Sequence, residues 1–109
     1  MNIRQDKLFL DGASAAAESK AALLENESVL TLEVTGTATE FTLKVMGRAA
    51  DRQEQWVPLA AINLTDFSVS DAISKTGIYS AALDGLRGVK LVLESAADGT
   101  VSAYGRMGE

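Results

Sequence analysis

A chain of 109 residues has room for one core and not two, since folding at this size buries somewhat over ~60% of the surface that the unfolded chain exposes. Hydrophobic residues at 47% and charged residues at 23% are globular proportions, and 15 acidic against 10 basic residues give a formal charge of -5, which repels phosphate backbones and excludes nucleic acid as an expected partner. With neither cysteine nor histidine, the chain has no disulfide, thiolate metal site, Ser-His-Asp triad or Cys-His nucleophile, and it lacks the commonest general base.

The opening Met1 to Leu10 is polar and alternates in charge. It carries neither the apolar h-region of a signal peptide nor a run of ~20 apolar residues, so the expectation is a chain made in the cytoplasm with no secretion signal and no membrane span. Residues 1–12 read as a flexible or edge N-terminal arm. From Ala13 to Leu24 two readings stand side by side. Ser14, the alanines, Glu18 and Lys20 have the propensity of a short serine-capped helix. The same stretch starts after Asp11-Gly12 and ends at Glu25-Asn26-Glu27, which suits a strand leading into Val29.

From Val29 onward strands dominate. Val29 to Thr35 and Glu40 to Met46 are β-branched, apolar and alternating, with Phe41, Leu43 and Val45 on one face. Thr35-Gly36-Thr37 between them predicts a hairpin that pairs the two. Gly47 to Gln55 is charged and breaks the alternation. Trp56 to Leu64 then resumes an apolar run whose single proline, Pro58, cannot donate to a ladder and predicts an edge or interrupted strand. Gly77 to Leu83, Val89 to Ser95 and Thr100 to Arg106 are short strands separated by Asp84-Gly85, Gly88 and Asp98-Gly99, read as hairpin signals. The sum is an all-β chain forming a single small antiparallel β-sandwich, jelly-roll-like, over residues 1–109.

Few residues suggest chemistry. The carboxylate pairs Asp66 with Asp71 and Glu25 with Glu27 could serve as acid and base, but no spacing marks them as catalytic and solvated loop charge is the plainer reading. Calcium-loop and phosphate-loop frames are missing, and Gly85-Leu86-Arg87-Gly88 reads as a turn, so no metal and no cofactor are expected. Trp56, Tyr79 and Tyr104 could stack on a sugar ring; as six aromatics must also fill a core, each is expected to be at least half-buried, Trp56 substantially so. Lys44, Arg48 and Arg52 make the nearest cationic patch, interrupted by Glu40, Asp51 and Glu54.

Taken in order, Val29 to Gly36, Phe41 to Gly47, Trp56-Val57-Pro58-Leu59, Gly77-Ile78-Tyr79, Gly85-Leu86, Val89 to Leu93 and Gly99 to Arg106 form an arrangement that resembles small β-sandwich structural proteins of tailed bacteriophage virions. The resemblance spans Glu18 to Arg106. It departs at Arg48 to Gln55, which has no Asp-Gly turn before the tryptophan, and at Ile62 to Ser74, which is longer than a simple loop. It implies a strand at Ala17 to Ala22, and a non-enzymatic component of the tail tip, baseplate, fibre or head surface. Its partners would then be other virion proteins or further copies of itself. A carbohydrate-binding or host-receptor adhesion module is the alternative. A small sandwich also leaves edge strands that need pairing or protection, which assembly would provide.

Overall fold

The computed structural model describes residues 4–49 and 56–109. Among these the chain is all strand and no helix: β1 (Arg4–Ala13), β2 (Ala17–Glu18), β3 (Ala22–Leu23), β4 (Val29–Gly36), β5 (Glu40–Arg48), β6 (Val57–Pro58), β7 (Ala61–Asn63), β8 (Val69–Ser70), β9 (Gly77–Ala82), β10 (Gly88–Ala97) and β11 (Val101–Gly108). One sheet runs β1-β11-β4-β9-β7-β8, and the other β2-β10-β5-β6 with β3 also on β10. The period of two decides which side chains go between them. Leu30, Leu32 and Val34 of β4 are buried while Thr31 and Glu33 are exposed, and Phe41, Leu43 and Val45 of β5 face inward from the other sheet. Leu83, Leu91, Leu93 and Met107 complete the layer at 0–1% exposure. Burial of each such side chain contributes about 1.5–3 kcal/mol.

The antiparallel pairs β1·β11, β2 and β3 with β10, β4·β9, and β5·β6 nest from the chain ends inward. This is a ribbon of paired strands wrapped into two sheets, the jelly-roll connection, with β7 and β8 extending the larger sheet. Its consequence corrects the expected hairpins. β4 does not pair with β5, nor β9 with β10, nor β10 with β11; each of these neighbours in sequence lies in the opposite sheet. Thr35-Gly36-Thr37, Asp84-Gly85 and Asp98-Gly99 are corners between sheets. Two of the corners pack on each other: Thr37 and Ala38 donate from their amides to the Thr100 carbonyl at 2.9 and 3.1 Å. Gly36 and Gly99 are required there, at φ +135° and +150°, because a Cβ on Gly36 would meet the Thr100 oxygen at 2.1 Å and one on Gly99 the Thr37 carbonyl carbon at 2.5 Å.

The ambiguous stretch before Val29 is extended, as a strand in two pieces. Between β2 and β3 the ladder to β10 is carried by Ser19, whose amide donates to the Leu91 carbonyl at 2.9 Å and whose Oγ accepts the Leu91 amide at 2.9 Å. Alanine-rich propensity for helix loses to pairing with β10. Trp56 to Leu64 is interrupted as Pro58 predicts: β6 is the edge of the smaller sheet, and β7 belongs to the larger one. β1 is an edge strand along β11, with irregular register between Leu8 and Leu10 and between Leu10 and Ala13. Ile73, in the long segment after β7, is buried and exchanges backbone hydrogen bonds with Leu43 at 2.7 and 2.8 Å.

Candidate interaction faces

The two sheets turn different outer faces to solvent. On the larger sheet, residues directly opposite one another across strands share a side, and Leu8, Tyr104, Glu33 and Ile78 form one such row. A second runs Asp6, Arg106, Thr31, Ser80, Ile62 and Val69. Leu8, Ile62, Val69, Ile78 and Tyr104 on these rows are exposed large apolar residues, as is Val29 one step further along β4. The turn joining β7 to β8 adds Leu64 and Phe67, and Phe67 is 73% exposed at φ 61°. That turn is held by Asn63 and Asp66, whose side-chain oxygens accept the Thr65 and Ser68 amides at 2.9 Å each. A left-handed phenylalanine held outward by two capping side chains is an unusual use of backbone strain on a surface.

The smaller sheet differs. Lys44 of β5 pairs with Glu94 of β10 at 3.4 Å, and Lys90 pairs with Glu18 across β10 and β2. Arg48 and Lys90 lie 4.7 and 4.5 Å from the centre of the Trp56 ring. Leu23 and Val57, near the sheet's edges, are its exposed large apolar residues.

The three aromatic candidates are not brought together. Tyr79 faces the core at 6% exposure and donates its hydroxyl to the Lys75 carbonyl at 2.7 Å; burial, then the nearby Asp66 carboxylate, push its ionisation above the ordinary tyrosine value. Tyr104 is exposed on the larger sheet. Trp56 is half-buried on the outside of the smaller sheet, which corrects the expectation of substantial burial: the ring covers Gly88 rather than entering the core. Lys44 and Arg48 share one face of β5, whereas Arg52, Asp51 and Glu54 fall outside the described residues.

The carboxylate pairs have structural work. Asp66 caps the Ser68 amide, and that bond holds it below the usual carboxylate range, while Asp71 stands exposed. Glu27 is 4% exposed, accepting the Glu25 amide at 2.7 Å and the Gln5 amide group at 2.7 Å. Burial raises its pKa, and the backbone bond from Glu25 with the bond from Gln5 and neighbouring amides outweighs it, leaving the group below its ordinary value. Glu27 thereby ties the turn before β4 to β1. Nothing in the local sequence marks this, because the partner Gln5 lies 22 residues away.

Comparison with known proteins fits this geometry. The model of the XepA family matches residues 4–107. The chain belongs to the XepA family. Among solved structures, the SPBc2 prophage-derived protein YomS is similar at 21% identity with a TM-score of 0.88, covering 100% of this chain and 96% of its own. The PBSX exported protein XepA is similar at 21% identity with a TM-score of 0.91, and the alignment covers 99% of this chain but 38% of XepA. No curated protein sequence matches. At these identities the two structures establish the shared sandwich fold alone, and the chain spans well under half the length of XepA itself.

Proposed function

We propose that this protein is a phage virion-associated structural component, without catalytic activity, that works by docking through the outer face of its larger sheet. The observation that carries this reading is the concentration of exposed apolar side chains, Leu8, Val29, Ile62, Leu64, Val69, Ile78 and Tyr104, on or beside that one face. Contiguous apolar surface on a soluble domain marks a contact surface. Membership of the XepA family, with fold relatives described as prophage-derived and as exported, supports a phage setting. The proposed site of assembly is the tail tip, baseplate, fibre or head surface, with other virion proteins or further copies of the chain as partners. A stable contact should bury at least ~1,000 Å² in total. The test is proteomics of purified particles together with light scattering of the chain alone and mixed with candidate tail and head proteins. Presence in particles with a stable complex is expected; a strict monomer absent from virions would contradict the reading and favour a glycan-binding module.

A further inference from the structure

We infer that the cleft beside Trp56, on the face opposite the docking sheet, is a binding site for an oxyanion group, phosphate or carboxylate, on a small ligand. It is about 380 Å³, the low end of small-molecule pockets, and is lined by Glu18, Ser19, Ala21, Arg48, Trp56 and Lys90. Three features build it. Ser19 and Ala21, in the segment between β2 and β3, form its outer wall. Gly88 supplies a notch in which the Arg48 and Trp56 side chains seat, because a Cβ there would lie 3.1 Å from Arg48 Nε and 3.3 Å from the indole. The indole in turn holds both cations within 5 Å of its ring centre.

Among the described residues, the charges in this cleft do not balance. Arg48 and Lys90 bring two positive charges and Glu18 one negative charge, in a chain whose net charge is -5. Lys90, with 14% of its side chain exposed, takes Glu18 as its partner. Arg48 has a ring beneath it but no carboxylate partner among the described residues, and its buried Nε makes no hydrogen bond. A ring attracts a cation without accepting its N–H bonds, so a guanidinium with five donors keeps its demand for oxygen acceptors. A planar or tetrahedral oxyanion meets that demand with charge-assisted bonds from the terminal N–H groups of the guanidinium, the buried Nε being out of a ligand's reach, and restores neutrality. Glu18, 57% exposed, sits where it would accept a hydroxyl of the same ligand.

Trp56 is the only tryptophan, so its emission reports on this cleft alone. The full chain is titrated at constant ionic strength with inorganic phosphate, with glucuronate and with glucose, chloride being the background. A saturable change with phosphate or glucuronate and none with glucose is expected, and whichever arm responds names the source of the oxyanion. Arg48→Gln should weaken binding roughly ten- to a hundredfold, as expected for loss of charge-assisted bonds, whereas Lys44→Gln on the same face should not. Lys90→Gln serves if the Arg48 variant fails to fold by circular dichroism. No saturable change with either anion, or equal binding by a folded Arg48→Gln, would overturn the site. So would binding that emerges only in Asp51→Asn/Glu54→Gln, since the chain's own carboxylates would then be the natural occupants. None of these outcomes depends on whether the opposite face docks onto a virion.

Discussion

The outer faces of the two sheets share one core yet are chemically unlike. The smaller sheet pairs most of its charge, Lys44 with Glu94 and Lys90 with Glu18, and sets Arg48 and Lys90 against one indole, with Arg48 lacking a carboxylate among the described residues. The larger sheet, where Arg106 pairs with Asp6 at 3.2 Å, leaves Leu8, Ile78, Ile62 and Val69 in water. Both faces are reached by the same alternation of residues, so folding alone does not demand the difference. The exposed apolar rows contribute little to the stability of the isolated chain, and they are the surface that the proposed docking would cover.

Because the core is common property, the largest effects should be blind to the comparison. Leu32→Ala from the larger sheet and Leu91→Ala from the smaller one, each at 0–1% exposure, should both cost about 2–5 kcal/mol in denaturant unfolding. A much smaller loss for one of them would mean that its sheet is only loosely packed.

Glu27 comes next. Its replacement by alanine leaves the Glu25 amide without its acceptor and the Gln5 side chain with the Leu23 carbonyl alone, and should cost about 1–3 kcal/mol. Since its folded pKa lies below the ordinary value of 4.5, its contribution is present above that value and is lost as pH falls through the folded pKa. Glu27→Gln should therefore flatten the fall in stability on acidification; an unchanged pH profile would show that Glu27 is not the group responsible.

How much of this was legible in the sequence depends on distance along the chain. Alternation placed Leu30, Leu32, Val34, Phe41, Leu43 and Val45 on buried faces, because the pleat is local. The partners of those strands were not legible. Asp98-Gly99 specifies a tight reversal with Asp98 at φ 57°, but the same reversal serves a hairpin or a corner between sheets, and the choice is made by β1 closing on β11 some 90 residues away. The place of the tryptophan is illegible for a related reason: an apolar run near Pro58 does not tell a core side chain from one that covers a glycine notch on the far strand. For the site, residue types were informative and grouping was not. Arg48 and Trp56 each stand out in the sequence, but for separate roles, and Lys90 and Glu18 join them only through β10 and β2.

A smaller effect separates the faces. Glu18→Gln removes the partner of Lys90, but Glu18 is 57% exposed, so the loss should stay within about 1 kcal/mol and shrink in high salt. A loss that persists at high salt would assign the pair a packing role.

The smallest expected effect on stability carries the central claim. Ile78→Ser with Tyr104→Ser removes two exposed side chains flanking Glu33 on the larger sheet, and each change should move folding stability by no more than about 0.5 kcal/mol. The decisive measurement is incorporation of this folded double variant into particles, in competition with the unaltered chain and with Lys44→Gln on the opposite face as control. The account predicts that Lys44→Gln is incorporated normally while the double variant is left behind in solution. Equal incorporation of all three would contradict docking through the larger sheet.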